Sequence, residues 1–335
     1  MLTVCLITVG DPATLSGGYR YHRRMAELAE SNDARITFAS LPARLPALYG
    51  PRVLSAAREA DVVLVDSIAA AVLAPWILLK RPRRLAAVVH QPPGGIDRAP
   101  PLRWLQAWLD RLLYHRCERV IVAGQLLTNV FDQAIVVPPG RNHVRGTDSR
   151  DLRDGARAAA LCVANWLPNK GILELLDAVA ALPAGTLRLH LAGDERAGTS
   201  YGKRVVRQLD NLGDRVVRHG PCDDSEIGGL YRSADLFVLP SRWETYGTVY
   251  AEALTAGLPV VGWCSGNLPH LINNGEQGIV ITPGDIPALA AALRLLAENE
   301  PKRLRMAAAA SLRARSLPTW EESAQRFFAA LERQP

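Results

Sequence analysis

The sequence is poor in cysteine pairs, aromatic residues and long apolar runs. Its five cysteines are odd in number and scattered, with no C-x-x-C pair, which argues against a disulfide framework and against a zinc knuckle. No stretch approaches the roughly 18 uncharged apolar residues of a membrane span, and the start reaches Asp11 without a basic region, so we expect neither a spanning helix nor a signal peptide. These absences predict a cytoplasmic protein with reduced thiols.

What is present is the composition of a folded globular protein. Of the 335 residues, 48% are hydrophobic, 21% charged and 6% aromatic, and a single core stops growing near about 250 to 300 residues, so two domains are expected. The formal net charge of +6 is uneven. Residues 1–150 contain 19 Lys and Arg against 12 Asp and Glu, whereas residues 151–335 contain 20 against 21. Any anionic surface is therefore expected to be met by the first half.

Two sets of short apolar runs, separated by amphipathic segments such as Tyr19–Glu30 and Leu102–His115, predict buried parallel strands alternating with helices. The first set is Leu2–Val9, Ile36–Phe38, Asp61–Val65, Leu85–Val89, Val120–Val122 and Ile135–Val137. The second set is Leu161–Ala164, Leu187–Ala192, Val216–His219, Leu236–Leu239, Val260–Gly262 and Ile279–Ile281. The pattern predicts an α/β protein made of two doubly wound, Rossmann-like domains.

The segment Pro138–Gly155 is rich in Pro, Gly and charge and has no apolar period, which is typical of an interdomain linker. We therefore predict one domain over residues 1–150 and a second over residues 151–317. The chain then ends in helical patterns, the last of them Trp320–Leu331. Two such domains facing one another would leave an interdomain cleft at the carboxyl ends of both sheets.

The most specific motif runs from Pro240 to Ala253, PSRWETYGTVYAEA, between a predicted strand and a predicted helix. Glu244 precedes the helix and Glu252 lies about two turns inside it, so one elbow presents two carboxylates. Ionised carboxylates accept paired hydrogen bonds from vicinal hydroxyls, as a sugar and a ribose offer. Taken alone, the pair is also explained by two solvated helix-start charges.

The wider context of this motif resembles the donor-binding segment of the retaining glycosyltransferases of family 4, which have the GT-B fold. The matching parts, in chain order, are Gly17-Gly18, His90 after a strand, VANWLPNKG at 163–171, LAGD at 191–194, the block from Leu230 to Gly262, SGNLPHLI at 265–272 and a closing helix at Trp320. The resemblance implies that this last helix, about residues 318–335, packs back on the first domain.

The resemblance implies a donor site in the second domain. Glu244 matches the glutamate that approaches the donor sugar, and Glu252 matches the one that binds the ribose hydroxyls. Lys170 matches the lysine that pairs with the diphosphate. The backbone at the start of the helix, formed by Thr245, Tyr246, Gly247 and Thr248, would face the diphosphate or the sugar, since unpaired N–H groups and the helix dipole favour anions.

In the first domain the resemblance implies roles for Gly17, Gly18 and His90. The two glycines match a loop that lies over the donor diphosphate, and glycine lets a backbone approach a ligand closely. His90 matches a histidine that reaches the donor sugar. Without the family context, the glycine pair is more often only a turn and a histidine at a strand end is more often structural.

The sequence departs from the family pattern at two places. Asn165, at a position of the donor site, replaces the usual arginine five residues before Lys170, so one phosphate-neutralising cation is absent from its normal place; Arg196 is a weak candidate to supply it. In the loop at 265–270, Asn267 and His270 stand where the family usually has a glycine and a glutamate, so the backbone path and the donor-sugar preference are expected to depend on these two residues.

The resemblance implies a retaining hexosyltransferase that uses a nucleotide-diphosphate sugar, with uridine expected on family frequency, and an unidentified acceptor that is a glycan, a lipid or a small metabolite. No Asp-x-Asp pair occurs, which fits an enzyme without a metal or other cofactor. Two alternatives stay open: a nucleotide-sugar epimerase or hydrolase of GT-B fold, and a non-catalytic sugar-nucleotide-binding protein.

The segment Leu102–Arg116 has apolar residues at 105, 108, 109, 112 and 113 and basic residues at 103, 111 and 116. The favoured interpretation is a helix that packs its apolar stripe on its own sheet and leaves a solvated basic side. The other is that this helix and the basic stretch at 80–84 make peripheral contact with an anionic membrane at its inner face. No reader motif accompanies the charge, so nucleic acid is not expected.

Overall fold

The computed structural model describes residues 1–13, 17–80, 82–96, 101–131, 133–142 and 151–332. The chain divides into two compact units. The first unit comprises Met1–Gly140 and Pro318–Pro335, and the second comprises Arg141–Leu317.

The first unit is built on a sheet of six parallel strands. They are β1 (Leu2–Val9), β2 (Ala34–Leu41), β3 (Val62–Asp66), β4 (Leu85–Val89), β5 (Arg119–Val122) and β6 (Ala134–Val136). Their order across the sheet is β2-β1-β3-β4-β5-β6. Alternate residues of β1 enter different cores: Leu6 packs in the same cluster as Tyr21 and Met25, and Ile7 packs with Leu73 on the opposite face. Both faces of the strand are therefore covered, as in doubly wound folds.

Helices cover both faces of this sheet. They are α1 (Gly17–Glu27), α2 (Gly50–Ala56), α3 (Ser67–Leu79) and α4 (Leu102–Tyr114). The Asp66 carboxylate, at the end of β3, accepts a hydrogen bond from the Ile68 amide at 3.3 Å and so caps α3. Asp66 is therefore both the last residue of β3 and the N-cap of α3.

The second unit repeats this architecture. Its strands are β7 (Ala158–Val163), β8 (Leu187–Ala192), β9 (Val216–Gly220), β10 (Leu236–Leu239), β11 (Val260–Trp263) and β12 (Gly278–Ile281), in the order β12-β11-β10-β7-β8-β9. Its helices are α5 (Ile172–Ala180), α6 (Ser200–Leu212), α7 (Asp224–Ser233), α8 (Thr248–Thr255), α9 (Leu268–Leu271), α10 (Ile286–Glu298) and α11 (Glu300–Arg315). Within the described ranges, none of the helices has the length and apolarity that crossing a bilayer requires.

The predicted fold class is confirmed: both sheets are parallel throughout and carry helices between successive strands. The boundary predicted after residue 150 lies about ten residues too late. Arg141 donates from its guanidinium to the Ala314 carbonyl at 3.0 Å, and Asn142 donates from its side-chain amide to the Glu252 carboxylate at 2.6 Å. These contacts hold residues 141 and 142 in the second unit. Composition alone identified the linker, Pro138–Gly155, but not the position of the boundary within it.

The last helix, α12 (Trp320–Leu331), belongs to the first unit. A capping box starts it: the Thr319 hydroxyl accepts from the Glu322 amide, and the Glu322 carboxylate accepts from the Thr319 amide. Its buried face packs on α1, where the Phe327 ring meets Tyr21 edge to face with 6.1 Å between centroids. The start of α12 also leaves no room for a side chain at Gly140, whose Cβ would lie 2.3 Å from the Trp320 backbone.

The favoured interpretation of α4 holds for part of its stripe. Its buried residues are Gln106, Ala107, Asp110, Leu113 and Tyr114. Of the expected apolar stripe, Leu113 lies in the core of the first unit and Leu109 packs against that core, whereas Leu105 and Trp108 are exposed. The periodicity located the helix correctly, but the buried side is rotated from the predicted stripe toward Gln106 and Asp110.

We expect Phe327→Ala to lower the free energy of unfolding by about 3–5 kcal/mol, the usual cost of removing a fully buried aromatic ring. Chemical denaturation followed by circular dichroism measures this loss. The matched control is Gln325→Ala on the exposed side of α12, for which a change within about 0.5 kcal/mol is expected. Equal losses from both variants would show that α12 does not depend on its contacts with the first unit.

Candidate active site

In each unit, the chain adds strands first on one side of its first strand and then on the other. The second unit places β8 and β9 on one side of β7 and β10 to β12 on the other side. The first unit likewise places β2 on one side of β1 and β3 on the other. Loops leaving two such neighbouring strands diverge and open a crevice at their carboxyl ends, where doubly wound folds bind ligands. The sequence-predicted residues follow these strands.

Lys170 and Glu244 meet at the β7/β10 crevice of the second unit. Lys170 follows β7 and Glu244 follows β10, yet the Lys170 ammonium donates to Glu244 Oε1 in a short ion pair. Their side chains are 21% and 15% exposed. Gly171 makes the approach possible: it has a φ of +70°, and a Cβ there would lie 2.1 Å from the Pro240 carbonyl oxygen. The two elements are therefore packed as closely as backbones allow.

The loop at 265–270 supports Glu244 from the other side. The Asn267 amide N–H donates to the Glu244 carbonyl at 2.9 Å, and the Asn267 side chain donates to the Tyr246 carbonyl at 3.0 Å. Gly266 has a φ of +60°, and a Cβ there would lie 2.6 Å from the Glu244 backbone. Asn267 thus holds the backbone of the loop that carries Glu244 by two hydrogen bonds. His270 is exposed, and its carbonyl accepts from Arg313 at 3.0 Å.

Tyr246 lies in the same hydrogen-bonded loop, with its side chain inside the second unit rather than at the surface. Its side chain is buried, and its hydroxyl has no hydrogen-bond partner among the described residues. Burial raises the pKa of Tyr246 to about 12, so the phenol stays neutral and can act only as a hydrogen-bonding hydroxyl.

Helix α8 begins beside Glu244. Gly247 precedes it with a φ of +81°, a conformation suited to glycine, and no side chain caps its first turn. Thr245 lies before this turn and Thr248 opens it, both half-buried. The first N–H groups of a helix need partners from outside the helix. The start of α8 therefore offers backbone donors to an anion.

Glu252 lies about one helical turn inside α8, not the two turns expected from the sequence, because the helix begins only at Thr248. It is held by two residues that sequence reasoning missed. Its Oε1 accepts from the Asn142 amide at 2.6 Å, and its Oε2 accepts from the Tyr231 hydroxyl at 3.2 Å. Tyr231 lies on α7 and Asn142 lies in the predicted linker. Neither carries a local signal, because each reaches Glu252 only through the tertiary fold.

Asn165 acts on the backbone. Its side-chain oxygen accepts from the Asp194 amide at 3.0 Å, which joins the loops after β7 and β8. Arg196, the weak candidate for the missing cation, pairs with Asp194 at 3.4 Å. Arg196 and Asp194 belong to an open cleft of about 980 Å³ at the carboxyl ends of β8 and β9, lined by residues 194–199 and 218–221. Arg218 is a second cation that lines this cleft. It pairs with Glu195 and lies over the Trp166 ring.

The first unit places Gly18 and His90 together. A Cβ on Gly18 would lie 3.4 Å from His90 Cδ2, whereas one on Gly17 would meet no atom within 4 Å. Gly18, unlike Gly17, therefore lies next to the His90 ring. The His90 ring also lies 4.9 Å from the His22 ring, centroid to centroid.

Asp66 and His22, which the sequence did not single out, complete this group. Asp66 Oδ2 accepts from the Thr8 hydroxyl at 2.8 Å and lies 3.1 Å from His22 Nε2. Burial would raise the pKa of Asp66, but His22 and the hydrogen bonds outweigh it and lower the value to about 2. Burial, followed by the nearby His22, lowers the pKa of His90 to about 4. His90 is therefore a neutral imidazole at pH 7 beside a fixed carboxylate.

The donor atoms of His22, Asp66 and His90 lie within 4.8 Å of one another, the one such group of three found in the described part of the chain. Two imidazoles and a carboxylate are a set that transition metals also use. The structure thus assembles two groups of predicted residues: Lys170, Glu244, Tyr246 and Gly247 in the second unit, and Gly18 and His90 in the first.

Residues 148–313 match the family described as "Glycosyl transferases group 1". Mannosylfructose-phosphate synthase from Agrobacterium fabrum is 27% identical over 247 residues, which cover 67% of this chain and 54% of that protein. Glycogen synthase from Mycobacterium tuberculosis is 34% identical over 211 residues, which cover 55% of this chain and 50% of that protein. The chain therefore matches about half the length of these curated relatives.

Solved structures are similar over nearly the full chain. The sucrose-phosphate synthase from Thermosynechococcus elongatus has a TM-score of 0.84 at 20% identity, covering 99% of this chain and 98% of that one. Anabaena HepE in complex with UDP and glucose has a TM-score of 0.81 at 20% identity, covering 98% and 99%. At this identity the likeness shows the fold, which is GT-B.

We expect Gly266→Ala to destabilise the protein by about 1–3 kcal/mol more than Gly275→Ala. Both glycines have a positive φ, which costs a side-chain-bearing residue about 1 kcal/mol or more. Only at Gly266 does the new Cβ also clash, 2.6 Å from the Glu244 backbone, whereas Gly275 faces open space. Denaturant titration of the two variants measures the difference, and equal losses would contradict the proposed bracing of Glu244.

Proposed function

Because the chain has the GT-B fold and its residues 148–313 match the group 1 glycosyltransferases, we propose that it transfers a hexose from a nucleotide-diphosphate sugar to an acceptor hydroxyl with retention of anomeric configuration. The observation that carries this proposal is the meeting of Lys170 and Glu244 at the β7/β10 crevice. An ammonium beside the uncapped start of α8 suits a diphosphate, and a carboxylate suits sugar hydroxyls.

Uridine diphosphate is the nucleotide we propose for the donor. The structural neighbour HepE was solved with UDP and glucose, and also with UDP-glucose, and this chain has a cleft on the same sheet edge as Lys170. Glu252 is oriented by Asn142 and Tyr231, which fits a carboxylate prepared to accept both hydroxyls of a ribose.

In the proposed mechanism, Lys170 and the first amides of α8 stabilise the charge that develops on the leaving diphosphate. Glu244 aligns the sugar, and His90 keeps the role that the resemblance implies, contact with the same sugar. The acceptor oxygen bonds to the anomeric carbon on the face that the diphosphate leaves. The acceptor proton passes to a phosphate oxygen of the donor, so no side chain acts as nucleophile.

We propose that this chemistry uses no metal ion, since an ammonium and helix amides supply the positive potential that a metal would otherwise provide. We also propose that the protein works in the cytoplasm. All five cysteines are free thiols in the structure, which suits a reducing compartment. The acceptor is a glycan, a lipid or a small metabolite.

We expect UDP to bind and Glu252→Gln to weaken that binding about tenfold, because the substitution keeps the shape of the side chain but removes a charge-assisted hydrogen bond. Isothermal titration calorimetry with UDP, GDP and ADP measures both effects. Glu298→Gln, which alters an exposed i,i+4 pair with Arg294, is the control and should bind as the wild type does. Preference for GDP or ADP would overturn the choice of uridine.

We expect Lys170→Ala to slow UDP release from UDP-glucose by about 100-fold or more, the usual effect of removing a group that stabilises developing charge. Release is measured with water as acceptor and with panels of lipid and glycan acceptors. Lys203→Ala on the exposed side of α6 should retain the wild-type rate. Binding of UDP-glucose with no release under any condition would instead favour the non-catalytic alternative.

A further inference from the structure

Helix α4 exposes part of its apolar stripe. Trp104 is 72% exposed, Trp108 is 57% exposed and Leu105 is 55% exposed. At 100° per residue, positions 104, 105 and 108 lie within one arc of the helix surface, away from the buried positions 106, 110 and 113. We call residues 104, 105 and 108 the α4 outer face.

The exposure of this face is unusual for the chain itself. Tryptophan is normally highly buried, and other tryptophans of this protein follow that rule: Trp166 and Trp263 are 2% and 0% exposed. Two large rings, one helical turn apart and flanked by leucines, form an apolar patch of the kind that marks an interaction surface.

The charges around the outer face are positive. The charged residues of α4 are Arg103, Asp110 and Arg111, and Asp110 is buried with its carboxylate accepting from the Gly94 amide at 2.8 Å. Arg103 and Arg111 are exposed, as is Arg116 just beyond the helix. The exposed charge of the helix is therefore entirely basic. The occupant of the face should be apolar and anionic together.

The basic stretch at 80–84 contributes less than its sequence indicates. Within it, the Arg84 guanidinium donates to the Leu331 carbonyl at 2.6 Å and lies 3.4 Å from the Glu118 carboxylate. That side chain is engaged inside the first unit, whereas Lys80 and Arg83 are exposed.

We propose that the α4 outer face docks on the surface of an anionic lipid bilayer. Tryptophan rings settle at the boundary between headgroups and acyl chains, and neighbouring arginines attract anionic headgroups. A second copy of this chain fits less well, since a symmetric pairing of this face would offer no acidic partner to the exposed arginines of α4. Docking requires no sugar transfer, so vesicle binding and donor turnover are independent measurements.

The position of α4 gives the docking a consequence for the site. The loop after β4, which begins with His90, lies on α4: Asp110 holds the Gly94 amide, and a Cβ on Gly94 would lie 2.8 Å from the Arg103 carbonyl oxygen. The helix that meets the bilayer thus supports the His90 loop. Resting on the proposed function, this arrangement favours an acceptor hydroxyl carried by a membrane lipid.

The test is co-sedimentation of the full chain with vesicles of phosphatidylcholine, with and without about 30% phosphatidylglycerol, whose anionic headgroups attract basic segments. The wild type should bind the anionic vesicles and bind neutral ones at least tenfold more weakly. Trp104→Ser with Trp108→Ser should weaken binding to anionic vesicles by at least about tenfold. Arg103→Gln with Arg111→Gln should weaken it about fivefold per arginine and remove the dependence on salt.

The matched control is Leu304→Ser with Leu312→Ser, which removes two exposed apolar residues from α11 of the second unit and should leave vesicle binding unchanged. Circular dichroism and UDP binding verify that each variant is folded. Equal binding by the tryptophan variant and the wild type would overturn the proposal. So would a wild-type dimer that the tryptophan variant dissociates, with no vesicle binding by either, because the face would then be an interface between copies.

Discussion

Both units depend on one topological constraint, the reversal of strand addition beside the first strand of each sheet. In the second unit, β7 and β10 are neighbours in the sheet and pair there, as Phe237 does with Leu161. The reversal therefore separates the loops at the carboxyl ends of these strands, not the strands themselves. Divergent loops then leave a crevice whose walls are fixed by the sheet. The positions of Lys170 and Glu244 follow from this geometry, although 73 residues lie between them in the chain.

The carboxyl edge of the second sheet is electrostatically balanced without a ligand. Lys170 pairs with Glu244, Arg196 with Asp194 and Arg218 with Glu195. Each cation is thereby held in place before an anionic ligand arrives, which limits the reorganisation that binding requires. Under the proposed function, a donor diphosphate would take over part of the Lys170 contact and release the Glu244 carboxylate toward the sugar. The absence of an arginine at position 165 is consistent with this design, since Asn165 secures the loop that carries Asp194.

The sequence was sufficient for the strands because each is a short apolar run bounded by polar residues, and Leu85–Val89, Leu187–Ala192 and Leu236–Leu239 agree with the structure to the residue. It was insufficient where a role depends on a distant partner. The role of Asn142 depends on its contact with Glu252, and the role of Asp66 depends on its contact with His22. Asn267 looked like a loss relative to the family pattern, yet it supplies the two hydrogen bonds that hold the Glu244 loop. A sequence motif shows which side chains are present. It does not show the backbone contacts that a substituted residue such as Asn267 makes.

Helix α4 shows why hydrophobic periodicity alone does not identify a core face. A helix packs the side that its neighbours can satisfy, and the loop after β4 presents a backbone amide that needs an acceptor. Asp110 accepts from that amide from the buried side of the helix, beside the apolar Ala107, Leu113 and Tyr114. Trp104, Leu105 and Trp108 are then left exposed. The buried carboxylate and the exposed apolar residues are therefore consequences of one rotation of the helix, and Asp110 links that rotation to the shape of the His90 loop.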